Sequence, residues 1–352
     1  MKRIGRIVWL AAALVLGWTA AGSANVPDLW QLGYRPFDPF MPSSLLDRQN
    51  QDRERFKVTV SAYFIVQRNP RQQNVKVYLP LPADDYYQTV YVSRFKPAPT
   101  EILKSRYGYE IAVYDFGPAT RGTSFAVQYE VEATVGKIGW AVGPEMVGPL
   151  AEIPEQVKQD YLVDGRFYRI NDPEIRAAAL EAVGNERHPY AMLARIVQFV
   201  HERLQYQLDG RKVDAVMTLR LGQGSCSEHS FLLIALARHL GLPMRYMSGS
   251  FYKPSVFTRS FYDRVNHKIV EAFLPRLGWV PVESTGSRHR AVFDPESLIG
   301  ESAHRMLFFA HEPEPGLAPL DPRNNIFTQN PFDTGSDVAL SGRVLTHWER
   351  LR

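Results

Sequence analysis

The stretch from Gly222 to Leu240, GQGSCSEHSFLLIALARHL, contains the single cysteine of the 352-residue chain, Cys226. A loop of small residues precedes this cysteine, and the run from Phe231 to Ala237 is apolar on every side, which predicts a buried helix. Gly241 and Pro243 then follow in the order expected at the end of a helix. The sequence therefore places Cys226 at, or within one turn of, the N-terminus of a buried helix.

Cys226 has two interpretations at this position. The unpaired N–H groups and the positive end of the helix dipole favour a negative charge, which lowers the pKa of a thiol and makes it a better nucleophile. A cysteine is also a small apolar residue that often lies inert in a core. The stretch by itself leaves both interpretations open.

Composition excludes some classes of protein. Apolar residues make up 45% of the chain and charged residues 22%, as in ordinary globular proteins, and the length suffices for two domains. The 41 basic and 37 acidic residues nearly balance, and no basic run occurs, so we predict no nucleic-acid partner. One cysteine excludes intramolecular disulfides.

The first 24 residues have the layout of a secretory signal peptide. Lys2, Arg3 and Arg6 precede an apolar stretch of about 15 residues, and Gly22-Ser23-Ala24 supplies small residues at a cleavage point. We expect cleavage after Ala24 and export to the periplasm or cell envelope, with no stable membrane span. Retention as a membrane anchor is the alternative, although the apolar stretch is short for a spanning helix.

Alternation of apolar and polar residues predicts a β-sandwich over residues 53–137. It follows an extended arm, residues 25–52, and its clearest strand is 124–135. No cluster of metal-binding or catalytic residue types occurs in it. Residues 138–165, rich in glycine and proline, are predicted to link it to a second domain.

Helical periodicity begins near residue 166. Asp172-Pro173 and Pro189 each start a helix, the helix after Cys226 follows, and strands at 244–251, 267–274 and 279–283 complete an α+β domain over residues 166–290. We expect residues 291–352 to form a C-terminal extension that packs on the surface and ends in a hairpin about Ser341-Gly342.

Cys226 has a candidate partner in His267, which begins a predicted strand. An imidazole within reach of a thiol can take its proton and later protonate a leaving amine, and a carboxylate can orient that imidazole. Glu283 ends the neighbouring predicted strand, and Glu271 shares a strand face with His267. Either acid is a candidate for the third position.

The segment from Asn171 to Thr285 resembles the transglutaminase-like superfamily, which has a papain-like thiol fold. The motifs that carry the resemblance are a glycine-x-cysteine ahead of a helix that ends in Gly-Leu-Pro, and H-x-x-x-E followed by G-W-x-x-V. They lie at Gly224, Cys226, Gly241, Pro243, His267, Glu271, Gly278, Trp279 and Val282. Sandwich domains often precede this core.

The sequence departs from the family pattern in three places. Glu283 stands where aspartate is usual, Ser284 replaces a proline, and Ile269 replaces an aromatic residue. Glutamate can orient a histidine, but its longer side chain changes the geometry.

The resemblance implies acyl transfer from a peptide or protein amide through a thioester on Cys226, with His267 and Glu283 completing a triad and no cofactor or metal. We expect hydrolysis, as in a cysteine protease or amidase. Amine crosslinking of protein glutamine and a non-catalytic peptide- or protein-binding module are the alternatives. Gln223 is a candidate oxyanion donor. A metal site of Cys226, Glu228 and His229 lacks a fourth ligand.

The loop from Phe251 to Asn266 carries Tyr252, Phe257, Phe261 and Tyr262 beside the histidine strand. These side chains either form one wall of a substrate groove or pack in the core.

Overall fold

The computed structural model describes residues 53–104, 109–211, 213–253, 260–285, 293–302, 304–312 and 338–351. The predicted signal peptide, residues 1–24, and the predicted arm, residues 25–52, lie outside the described residues. Among the residues described, no helix is long and apolar enough to cross a membrane.

A β-sandwich occupies the first part of the structure, as predicted. Its strands are β1 (Glu54–Arg68), β2 (Asn74–Leu81), β3 (Gln88–Lys96), β4 (Glu101–Lys104), β5 (Glu110–Pro118) and β6 (Ser124–Val135). Alternate side chains of β1 and β6 are buried, which is the pattern that the sequence shows. Strands β2, β5 and β4 form the smaller antiparallel sheet, and the two sheets share one apolar core.

The larger sheet of the sandwich contains two strands from far along the chain. These are β11 (Ser260–Asp263) and β16 (Ala339–Arg350), and the strand order is β11-β16-β1-β6-β3. The expected hairpin about Ser341-Gly342 is wrong. Both residues lie inside β16, which pairs with β1 from Phe56 opposite Arg350 to Arg68 opposite Ala339 and so satisfies its backbone groups without a turn.

The second body combines helices with an antiparallel sheet. The helices are α1 (Glu155–Tyr161), α2 (Pro173–Val183), α3 (Pro189–Arg203), α4 (Ala215–Leu221) and α5 (Cys226–His239). The main strands are β10 (Met244–Tyr252), β12 (His267–Leu274), β13 (Gly278–Val282) and β15 (Arg305–Glu312), in the order β13-β12-β10-β15. Short strand pairs complete the described structure: β7 (Ile138–Gly139) with β14 (Glu301–Ser302), and β8 (Gln205–Tyr206) with β9 (Gln223–Gly224).

Helix α5 lies at the centre of this second body. Every residue from Cys226 to Arg238 is buried, because the helix packs on β10 and β12 on one side and on α2, α3 and α4 on the others. An all-round apolar sequence is therefore what this position requires. The predicted N-terminus of α5 and the predicted limits of α2 agree with the structure.

The region predicted as a C-terminal extension belongs to both bodies. Strand β15 is an edge of the four-stranded sheet, and β16 lies inside the larger sandwich sheet. The region predicted as a linker also packs, since Trp140, Val147 and Ile153 are buried. The sandwich and the α+β body are consequently joined by much more than one crossing segment.

Candidate active site

Cys226 is the first residue of α5, and a capping box fixes its position. The Glu228 carboxylate accepts hydrogen bonds from the Ser225 N–H (2.9 Å) and hydroxyl (2.6 Å), and the Ser225 hydroxyl accepts one from the Ser227 N–H (3.3 Å). This arrangement satisfies N–H groups that a helix start leaves unpaired. The cysteine is only 1% exposed.

His267 lies beside this thiol at the start of β12. Its Nε2 is 3.0 Å from Oε1 and 3.1 Å from Oε2 of Glu283, the residue that follows β13. The His267 ring also shares a hydrogen bond with the Cys226 thiol. Because Glu283 occupies Nε2, Nδ1 is the nitrogen left for the thiol. The structure thus brings the three residues singled out in the sequence, Cys226, His267 and Glu283, into one hydrogen-bonded line.

Glu283 is itself held in place by its neighbour. The Thr285 hydroxyl donates to Glu283 Oε1 at 3.0 Å, and the Thr285 N–H approaches the same oxygen at 3.3 Å. The longer glutamate side chain therefore reaches Nε2 with both oxygens while its position stays fixed. Both His267 and Glu283 side chains are 15% exposed, so they open to solvent more than the cysteine does.

Electrostatics favour the charged form of this group. Burial raises the pKa of the Cys226 thiol, but the hydrogen bond and positive charge of His267 outweigh it, and the net pKa is lowered. Burial lowers the pKa of His267, yet Glu283 and the thiol raise it to about 10. Burial raises the pKa of Glu283, and His267 more than reverses that effect. A thiolate–imidazolium pair is the form that these shifts stabilise.

Glu271, the other acid considered from sequence, contacts different groups. Its carboxylate forms a buried ion pair with Arg245 and accepts hydrogen bonds from the Tyr87 hydroxyl (2.6 Å) and from His311 Nδ1 (3.1 Å). Four positions along a strand separate Cα atoms by about 13 Å, so the acid cannot reach His267 although both share a face. Glu271 joins the sandwich to the α+β sheet instead.

Further side chains of that junction complete a buried polar cluster. Asp85 accepts from His311 Nε2 at 3.0 Å, and the Gln88 side chain exchanges two hydrogen bonds with the backbone of Phe308, at 2.7 and 2.9 Å. The guanidinium of Arg245 lies 4.2 Å from the centroid of the Trp279 ring. These contacts fix the sheet that carries His267 against the sandwich.

An aromatic wall stands beside His267. The edge of the Phe251 ring meets the His267 ring with centroids 5.6 Å apart, and His304 stacks on Phe251 at 5.3 Å. Of the four aromatic residues predicted from the sequence, Tyr252 and Phe261 pack into the sandwich, Tyr262 stacks on His347, and Phe257 lies outside the described residues.

Two contributors to this site were not predicted from the sequence. Phe251 begins the predicted loop, but its contact with His267 depends on the pairing of β10 with β12. His304 shows no motif, and only the pairing of β15 with β10 brings it near. No local signal in the sequence identifies either residue.

Lys268, the residue after His267, is fully buried. Its ammonium donates to the Ser248 hydroxyl at 3.0 Å and lies 6.0 Å from the centroid of the Tyr246 ring. Ser284, which stands where the family has proline, donates to the Lys268 carbonyl at 3.1 Å. The backbone N–H of Lys268 also hydrogen-bonds the Cys226 thiol.

Gln223, the candidate oxyanion donor, and His229, which was considered as a metal ligand, lie on either side of Cys226 in the sequence. Gln223 lies in β9, whose two residues pair in parallel with β8, three positions before the cysteine. The His229 Nδ1 is 2.8 Å from the Ser225 carbonyl oxygen. Within the described ranges, no three His, Cys, Asp or Glu side chains are placed to hold a metal ion.

Comparison with known proteins supports a fold assignment. The sequence model of the transglutaminase-like superfamily matches residues 176–284. A candidate cysteine protease from Cytophaga hutchinsonii is similar in structure, with a TM-score of 0.58 and 15% identity over 86% of this chain and 92% of that one. No curated protein matches the chain in sequence.

Two further solved structures resemble parts of the chain. The periplasmic domain of TgpA from Pseudomonas aeruginosa has a TM-score of 0.34 and 14% identity over 69% of this chain and 91% of that one. Red sea bream transglutaminase has a TM-score of 0.34 and 11% identity over 70% of this chain and 54% of its own. The residues that match the superfamily model include helix α5 and the β12–β13 pair described above. The chain therefore contains a domain of the transglutaminase-like superfamily.

Proposed function

We propose that the protein transfers the acyl group of a peptide or protein amide through a thioester on Cys226. The observation that carries this proposal is the Cys226–His267–Glu283 line, in which a thiol at a helix N-terminus meets an imidazole whose far nitrogen is held by both oxygens of a carboxylate. In this arrangement the imidazole keeps the proton taken from the thiol, and the carboxylate stabilises the charge that results.

The first half of the reaction forms the thioester. The Cys226 thiolate attacks the amide carbonyl carbon, and the negative charge on the carbonyl oxygen is met by the Cys226 N–H, with Gln223 as the candidate second donor. The His267 imidazolium then gives its proton to the leaving nitrogen as the C–N bond breaks. An amine departs, and the acyl group remains on sulfur.

The second half releases the acyl group. His267, now neutral, takes a proton from the incoming nucleophile as that nucleophile attacks the thioester carbon, and the C–S bond breaks to restore the thiolate. Water gives a carboxylic acid, and a primary amine gives a new amide. We favour water, and therefore a cysteine protease or amidase that acts on peptides or proteins in the cell envelope, with transglutaminase-type amine crosslinking as the alternative.

Mass spectrometry of a peptide library incubated with the mature protein and a primary amine tests this proposal. We expect hydrolysis products that the Cys226→Ala variant does not form. Amine-tagged peptides without hydrolysis products would establish the crosslinking alternative. If neither product appears, acyl transfer on peptides is refuted.

A non-catalytic binding module is the second candidate, and the nearly complete burial of Cys226 is the observation that favours it. If this candidate is correct, Cys226→Ala retains both the partner and the biological activity. Loss of activity with retained binding would refute it.

A further inference from the structure

Lys268 is a buried charged group that the proposed reaction does not use. The side chain is 0% exposed, and it leaves β12 on the face opposite that of His267, between the sheet and helix α5. Burying an ammonium is unfavourable unless nearby groups compensate for the lost water. An apolar residue of the same length would fill this space at a smaller cost, so the charge itself requires an explanation.

The contacts of Lys268 place that charge next to the start of α5. Its ammonium donates to the Ser248 hydroxyl at 3.0 Å and lies 6.0 Å from the centroid of the Tyr246 ring. The Tyr246 hydroxyl is 3.2 Å from the hydroxyl of Ser227, the residue after Cys226. The Lys268 ammonium therefore lies on the side of the sheet that faces the start of α5, and Tyr246 stands between it and Ser227.

The charges around the thiol show what this ammonium does. Glu228 comes from α5, Tyr246 from β10, His267 from β12 and Glu283 from the end of β13. Tyr246 stays neutral, because burial raises its pKa well above the ordinary value. The Glu228 carboxylate is met by the Ser225 N–H and hydroxyl at the positive end of the helix.

The formal charges of the remaining groups sum to zero only when Lys268 is included. The Glu283 carboxylate and a Cys226 thiolate carry two negative charges, and the His267 imidazolium carries one positive charge. Because the proton passes from sulfur to imidazole within this group, its net charge is one negative charge in both forms, and Lys268 brings that charge to zero. Ionisation of the thiol moves negative charge onto the sulfur at the start of α5, on the side of the sheet where the ammonium lies.

We propose that Lys268 is a positioning residue that stabilises the Cys226 thiolate from the side opposite His267. The lysine touches neither substrate nor the reacting carbonyl, and it acts through its charge and through its backbone N–H, which hydrogen-bonds the thiol. This inference rests on Cys226 being the nucleophile of the proposed function. It adds a second cation to the pair that the superfamily resemblance implies.

The test measures the rate of Cys226 alkylation by iodoacetamide against pH in the wild type and in Lys268→Met. Methionine is unbranched and nearly as long as lysine, and it removes the charge. We expect the rate at neutral pH to fall on the order of tenfold, with the wild-type rate recovered at high pH where every thiol is ionised. Lys158 of α1, whose side chain is 32% exposed and pairs with Glu155 at 3.4 Å, provides a control away from the thiol, and Lys158→Met should leave the profile unchanged.

A merely structural role would lower the rate at all pH values and would not move the profile along the pH axis. An unchanged profile in folded Lys268→Met, as judged by near-UV circular dichroism, would overturn the proposal. A second measurement covers the case in which this variant does not fold. The titration of the Lys268 Cε resonance is followed by NMR in the wild type and in Cys226→Ser.

Reciprocity fixes the expected result of that NMR experiment. If the ammonium stabilises the thiolate, then replacement of the thiol by a hydroxyl must make the ammonium lose its proton at lower pH. Identical titrations in the two proteins would overturn the proposal. Neither assay needs an acyl substrate. A shifted thiol profile without peptide turnover would therefore refute the proposed function and leave the role of Lys268 intact.

Discussion

Replacement of Glu283 by glutamine tests the central geometry of the site. Burial lowers the pKa of His267, and the carboxylate of Glu283 and the thiol of Cys226 together raise it from 6.5 to about 10. This rise corresponds to roughly 5 kcal/mol in favour of the imidazolium. The Glu283 carboxylate acts through both its charge and its hydrogen bond and is the larger of the two sources. Its share is therefore at least about half, or about 2.5 kcal/mol.

The expected result in Glu283→Gln follows from that share. The pH at which the His267 ring loses its proton should fall by roughly 1.8 pH units or more, and the imidazolium should become roughly 60-fold less favoured. The measurement is an NMR titration of the His267 ring in the wild type and in the variant. Glu296→Gln, which removes an exposed carboxylate beyond the site, is the matched control.

A Glu283→Gln ring that still loses its proton near the wild-type pH would refute the reasoning. In that case the contacts of 3.0 and 3.1 Å between Nε2 and the carboxylate would not stabilise the imidazolium. Hydrolytic activity supplies an independent readout, because its alkaline limit in the wild type should lie near pH 10, where the imidazolium is lost.

Three further predictions concern stability. Tyr87→Phe leaves an oxygen of buried Glu271 without its 2.6 Å donor and should reduce the free energy of unfolding by about 1.5–3 kcal/mol in urea titrations, without altering the alkylation rate of the thiol. Trp348→Ala removes a fully buried ring that donates to the Ser250 hydroxyl at 2.9 Å, and thermal or urea unfolding should show a loss of about 3–5 kcal/mol. Burial lowers the pKa of His311, but its two carboxylate neighbours raise the net value. The stability that this histidine contributes is therefore fully present below about pH 6.5 and is lost as the pH rises through the folded pKa. Urea titrations of His311→Gln should lack that alkaline loss of stability, and an unchanged pH dependence would contradict this prediction.

Local signals in the sequence were sufficient for several elements. The Asp172-Pro173 pair gave the start of α2 correctly, because the aspartate side chain accepts from the Glu174 N–H and proline tolerates the first turn. The small residues before Cys226 likewise indicated the start of α5. Helix α4 was missed, although Asp214 before it and Gly222 after it are cap residues, because seven residues show too little periodicity.

The partners of distant segments could not be predicted in this way. Whether Glu271 or Glu283 meets His267 depends on how β12 and β13 pair, and that pairing is a property of the folded sheet. The burial of Lys268 has the same origin, since alternation along the strand shows which residues share a face but not what covers the face. The split of 305–312 and 339–350 between two sheets depends on contacts with strands far away in the sequence.

The position of β16 has a consequence for the order of folding. Domains generally form in sequence order as the chain is synthesised, but here Phe56 pairs with Arg350, so the larger sandwich sheet cannot close until almost all of the described chain exists. The α+β body lies between β6 and β16 in sequence and can form first. We therefore expect the sandwich, although it begins nearest the N-terminus, to be the last part to reach its native state, and loop closure over so long a separation to make that step slow.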